Sequence, residues 1–143
     1  MTDMDRVRAV LEQAKTVAVL GASLQPQRAG HYVPAYLHAQ GYRIIPVNPL
    51  HQRQGESAWG EPFRATLAEL REPIDVVDVF RHPGFLPAHL DDFLAMQPLP
   101  RTVWLQSGIR HEDFAQRLRE AGVEVIQDRC MLADHRVLGI APK

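Results

Sequence analysis

The stretch Thr16-Val-Ala-Val-Leu20-Gly21-Ala22-Ser23-Leu24-Gln-Pro-Gln-Arg28-Ala-Gly30 decides how the chain reads. Thr16 to Leu20 is a short apolar run with two valines, closed by glycine, which is the pattern of a strand buried on both faces. Gly21-Ala22-Ser23 reads as a tight turn, the segment to Arg28 as a basic loop, and Gly30 as the beginning of a helix. A strand that turns at glycine and re-enters as a helix aims backbone N–H groups and a helix N-terminus at one point. That geometry suits a phosphate.

Working outward, Thr2 and Asp5 form a capping box ahead of Met4, Val7, Val10, Leu11 and Ala14, which recur at helical spacing and predict an opening amphipathic helix. Pro34 is tolerated only in a first turn, so the second helix begins near Gly30 or His31 and ends at Gly41, with Tyr32, Val33 and Leu37 towards the sheet. Tyr42 to Val47 is the second strand, terminated by Asn48-Pro49. A loop follows, then a short edge strand at Glu61-Pro62-Phe63 and a brief helix to Leu70 with Thr66 and Glu69 as its capping box. Ile74 to Phe80 is a strand despite Asp75 and Asp78, and the Arg81-His82-Pro83-Gly84 turn closes it. Leu86, Leu90, Phe93 and Leu94 make the stripe of the next helix, opened by Pro87. Thr102 to Gln106 is a strand with the turn Ser107-Gly108, His111 to Ala121 a helix, and Val123 to Ile126 the last clear strand.

Strands alternating with helices predict a doubly wound parallel α/β sheet covered on both faces, a three-layer domain spanning residues 1–143. Right-handed crossovers and one reversal of strand order place a crevice at the carboxyl ends of the first strand and of the strand ending at Phe80. Candidate ligand contacts therefore lie on the loops that follow the strands.

Composition narrows the classes. The chain has 143 residues, 45% of them hydrophobic, and 16 basic against 17 acidic side chains. The formal charge of −1 disfavours a broad grip on nucleic acid, so anion binding should be local. Lysine occurs only at Lys15 and Lys143, which leaves local anion sites to arginine. The single cysteine, Cys130, excludes an intramolecular disulfide and fits a reducing compartment. With no long apolar run and a charged, amphipathic start, the expectation is a cytoplasmic protein without membrane contact. The seven histidines and one cysteine offer no metal-ligand spacing; His111 reads as a helix-start residue and His135 as a hydrogen-bonded structural one.

The turn departs from a nicotinamide dinucleotide fingerprint at three points. Ser23 replaces the second glycine, the next glycine is as late as Gly30, and the second strand ends in Asn48 rather than in an acid that would bind ribose hydroxyls. Ser23 adds a hydroxyl, Arg28 a cation, and Asn48 removes a carboxylate that would repel a ribose phosphate. A ligand richer in phosphate than NAD is favoured. Ser23 can equally close its own turn, and Phe80 can equally be core. An NAD(P)-dependent redox enzyme or sensor, and a pure interaction module, are the competing classes.

Taken together, Gly21-Ala22-Ser23, Pro26, Arg28, Tyr42, Pro46-Val47-Asn48-Pro49, Asp128-Arg129-Cys130-Met131, His135 and Leu138-Gly139 resemble the small single-domain coenzyme A-binding protein family, over about Val7 to Gly139. The fold this implies is Rossmann-like and similar to the N-terminal domain of the succinyl-CoA synthetase alpha subunit. That larger protein carries its ligase chemistry on a separate domain, so the resemblance implies binding of coenzyme A or an acyl-CoA without catalysis. It puts the phosphates on Gly21, Ala22 and Ser23, the adenosine end beside Asn48 and Pro49, and the pantetheine path along Gln106, Ser107 and Gly108. It also places Phe80 and Arg81 on the loop after the middle strand, with Arg28 or Arg81 pairing a phosphate. Cys130, the sole candidate nucleophile, has no sequence-local base. It reads first as a packed, inert thiol, the alternative being a place near the coenzyme's own thiol, where oxidation would give a mixed disulfide.

Overall fold

The apolar runs become five parallel strands because each is buried on both faces, and four of them hand over to a helix at a glycine or proline. In the computed structural model, which describes residues 2–143, these are β1 (Thr16–Leu20), β2 (Arg43–Val47), β5 (Val76–Val79), β6 (Thr102–Leu105) and β7 (Glu124–Ile126). Their order is β2-β1-β5-β6-β7, with every pairing parallel. Strand order reverses between β1 and β5, where the sequence predicts the crevice.

Helices α1 (Asp3–Gln13), α2 (Ala29–Ala39) and α6 (Met131–Leu138) cover one face, and α4 (Leu86–Leu94) and α5 (Glu112–Glu120) the other. Alternation along β1 divides the core: Val17 and Val19 pack under α1 and α2, whereas Ala18 and Leu20 pack towards α4 and α5. The apolar stripe of α1 is core, with Val7 and Leu11 buried. The capping box forms: Asp5 N–H donates to Thr2 Oγ1 at 3.1 Å and Thr2 N–H to Asp5 Oδ2 at 3.0 Å. Thr2→Ala is expected to lower the melting temperature by roughly 2–5 °C, as a lost cap does in a small domain; a melt that is unchanged would show that α1 is held by packing alone.

Several local expectations are corrected. The loop after β2 opens with a five-residue helix, α3 (Pro49–Arg53), because Asn48 accepts from Leu50 N–H at 3.0 Å and Pro49 occupies the first turn. Glu61–Pro62 (β4) pairs with Ser57–Ala58 (β3) in a small hairpin, and the chain directly after it runs beside β2, the edge of the main sheet, through a parallel bridge between Arg64 and Val47. The predicted helix to Leu70 is one 3₁₀ turn, Leu67–Glu69; the Thr66 side chain caps nothing, and Glu69 accepts from Ala65 N–H at 2.8 Å. Tyr32 and Leu94 are exposed, since the buried faces of their helices are taken by Val33 with Leu37 and by Leu86 with Phe93. Among the described residues, no helix is long and apolar enough to cross a membrane, and no cluster of three or more His, Cys, Asp or Glu could hold a metal.

Candidate functional site

At the carboxyl ends of β1, β5 and β6 the loops enclose a cavity of about 530 Å³. Its floor is built by two close approaches. Gly21 has φ +85°, and a Cβ there would lie 3.2 Å from the Phe80 carbonyl and 3.3 Å from Arg81 Cδ. A Cβ on Gly30 would lie 2.9 Å from the Gly21 carbonyl, so only glycine lets α2 begin this close to the turn. Ala29 and Gly30 line the cavity as the first two residues of α2, and their N–H groups have no intrahelical acceptor. Arg28, in the N-cap position, is exposed at the same rim and donates from Nε to Gln25 Oε1 at 2.9 Å. A helix start and a guanidinium thus face one space, an arrangement that stabilises an anion.

The turn itself is largely self-satisfied. Gly21 N–H donates to Val47 O and Ser23 N–H to Gly30 O, both at 3.1 Å. The Ser23 hydroxyl accepts from Gln25 N–H at 3.0 Å, so it closes its own turn as serines do. The other end of the cavity is formed by Gln106, Ser107 and Cys130. Gln106 is buried and accepts from Met131 N–H at 3.1 Å, tying the loop after β6 to the start of α6; Cys130 occupies the N-cap position of that helix. Helix α6 itself is an element the sequence reading leaves unassigned.

A second cavity of about 430 Å³ adjoins the first, with Gly21 lining both. Leu20, Val47 and Pro49 give it an apolar wall, and Arg53, Arg81 and His89 stand around it with Asp92. Asn48 shapes it: its Nδ2 donates to the Ala22 carbonyl at 3.0 Å while its Oδ1 caps α3, so one side chain joins the two loops. Burial first, and then the neighbouring Arg81 charge, hold His89 below the usual imidazole range, against the opposing pull of Asp92.

The structure therefore gathers Gly21, Ser23, Arg28, Phe80, Gln106, Ser107 and Cys130 around one cavity, and Asn48, Pro49 and Arg81 around the other. Ala22 is fully buried beneath the turn, and Gly108 lies beside the first cavity with its N–H donating to Asp128 Oδ1 at 2.7 Å. Tyr32, Val33 and Ile109 in the first cavity, and Arg53 and His89 in the second, are lining residues that sequence reasoning missed. For Tyr32 and Val33 the signal is their place in the first turn of α2, directly after the glycine turn.

A family model described as a CoA binding domain matches residues 15–136, the span that holds every loop of the crevice. The chain belongs to this family. The chain is similar to the Bacillus subtilis (strain 168) protein YneT, 36% identical over 131 residues that cover 92% of this chain and 93% of that protein. The solved structure of cell-free ID.343 from Thermus thermophilus has 51% identity and a TM-score of 0.89, covering 96% of this chain and 99% of that one. A dinucleotide-forming acetyl-coenzyme A synthetase 1 of Ca. Korarchaeum cryptofilum, solved with phosphate and ADP, is similar in fold at 19% identity and a TM-score of 0.66. The match covers 87% of this chain and 27% of the synthetase.

Proposed function

We propose that the chain binds coenzyme A or an acyl-CoA along the two joined cavities and holds it without transforming it. The observation that carries this reading is the pair of adjoining cavities that share Gly21, at the reversal of strand order, in a chain of the CoA binding domain family. The diphosphate lies against the Ala29 and Gly30 N–H groups and Arg28. The adenosine end turns over Gly21 towards Asn48 and Pro49, and the pantetheine arm runs past Phe80 to Gln106, Ser107 and Cys130. Ser23 and Asn48 hold the loops in shape through their bonds to Gln25 N–H, the Ala22 carbonyl and Leu50 N–H.

Any ligand of the native state raises stability by mass action, so coenzyme A at a hundred times its Kd should add about 2.7 kcal/mol to unfolding. Thermal melts with coenzyme A, acetyl-CoA, NAD and NADP test this. The expected result is a rise with the two coenzyme A species only; a rise with NADP and none with coenzyme A would overturn the reading. Arg28→Gln should weaken coenzyme A binding by roughly tenfold or more, the effect of one charge-assisted contact. Unchanged affinity in a calorimetric titration would remove Arg28 from the site.

A further inference from the structure

Trp59 holds a backbone conformation that its own side chain disfavours. Trp59 and Gly60 are the two central residues of the β3–β4 hairpin, with φ of 54° and 78°, so the turn requires left-handed backbone at both positions. Asparagine, aspartate or glycine is the usual first residue of such a turn, and a bulky side chain there is strained. The other non-glycine residue at positive φ among the described residues, Asp128, is of a type that tolerates the conformation, and its Oδ1 accepts from Gly108 N–H at 2.7 Å. What the strain at Trp59 secures is a contact. Its half-buried ring lies 5.3 Å from the His31 ring, tilted by 44°.

His31 is the third residue of α2, directly after Ala29 and Gly30 at the cavity. Its Nδ1 lies 2.8 Å from the Ser23 carbonyl, and because a carbonyl only accepts, Nδ1 carries the proton and donates. Ser23 N–H donates to the Gly30 carbonyl at 3.1 Å. Two bonds therefore close the glycine turn onto the helix start, and one of them runs through an imidazole that Trp59 backs. The hairpin is itself fixed to the sheet, since Arg64, just after β4, donates from N–H to the Pro46 carbonyl and accepts from Asn48 N–H, both at 2.9 Å. Neither the Trp59 nor the His31 side chain lines the cavity. We infer that Trp59 and His31 are positioning residues: the hairpin, acting through the imidazole, holds the Ser23 turn against the first turn of α2 in the form that receives the ligand's diphosphate. The inference rests on the coenzyme A reading for its ligand and extends the site to an element outside the crevice.

The test is calorimetric titration of the full chain and its variants with coenzyme A, beside thermal melts without ligand. Trp59→Asn removes the ring and installs a residue that the turn prefers, so lost packing and relieved strain oppose each other and the melt stays within about 4 °C of the wild type. Its affinity for coenzyme A is expected to fall roughly tenfold, because the turn must then be ordered on binding. His31→Leu removes the donor and should lose as much. The double variant should lose no more than either single one, since the ring acts only through the imidazole. His31→Asn keeps an N–H donor near the place of Nδ1 and should retain most of the affinity, with or without Trp59. Wild-type affinity in both Trp59→Asn and His31→Leu, losses that add in the double variant, or melts that fall in step with affinity would overturn the positioning role while the coenzyme A reading stands. A wild-type chain that takes up no coenzyme A overturns that reading itself.

Discussion

Trp104→Ala is expected to destabilise the protein by about 3–5 kcal/mol, the range for truncating a large aromatic in a packed core. Trp104 is fully buried in β6, one strand in from the edge of the sheet, between register partners Asp78 on β5 and Ile126 on β7. Its ring fills the layer between the sheet and the helices α1, α2 and α6, and its indole Nε1 donates to the Arg129 carbonyl at 2.8 Å. That bond fixes the residue before Cys130, so the side chain that fills the core also positions one wall of the crevice. Trp104→Phe separates the two roles: it keeps most of the apolar area and leaves the Arg129 carbonyl without its donor, a cost of about 1–3 kcal/mol. Urea denaturation of both variants checks the ranking. A loss below that of the phenylalanine variant for Trp104→Ala would mean that the site collapses or fills, and that packing around β6 is looser than the buried area implies.

The strands and the crevice were legible because their signals are local. β-branched runs ended by Gly21, by Asn48-Pro49 and by the turn at Arg81 each mark where a buried strand meets solvent, and alternating helices leave one parallel order with one reversal. What was illegible depends on signals with two meanings or on packing across long sequence separations. Asn48-Pro49 stops a strand and also starts α3, and the pattern alone favours the stop. Helix α6 carries a weak apolar pattern; it is held by Arg129, which donates to Asp134 Oδ2 at 2.7 Å, and by Tyr36, whose hydroxyl lies 2.8 Å from His135 Nδ1. Arg53 and His89 reach the second cavity only because α3 and α4 dock at particular rotations, which no spacing within either helix encodes. The Ser23 hydroxyl is readable as a ligand group or as a turn closure; its oxygen closes the turn by accepting from Gln25 N–H at 3.0 Å, a bond that leaves its O–H free to donate.

The other large effect follows from Asp78, which the sequence shows as an acid in the middle of an apolar strand. It is fully buried on β5, and neither carboxyl oxygen has a hydrogen-bond partner among the described residues. Burial raises its pKa well above the ordinary carboxylate value, and the nearby Val79 backbone N–H opposes this by less. The native protein therefore holds the Asp78 proton to higher pH than the unfolded chain does. Stability is full below the unfolded carboxylate value and falls as pH rises from there to the raised native value, at up to about 1.4 kcal/mol per pH unit. Asp78→Asn has the same shape and no titration, so it should match the wild type at acid pH and exceed it increasingly towards neutrality. Urea denaturation of both proteins from acid to neutral pH checks this, and parallel curves would show that Asp78 ionises freely in the fold. Because Trp104 is the register partner of Asp78 in the adjacent strand, Trp104→Ala opens space beside this carboxyl and admits water. The advantage of Asp78→Asn should therefore shrink in the Trp104→Ala background, a non-additivity that appears at neutral pH and vanishes in acid.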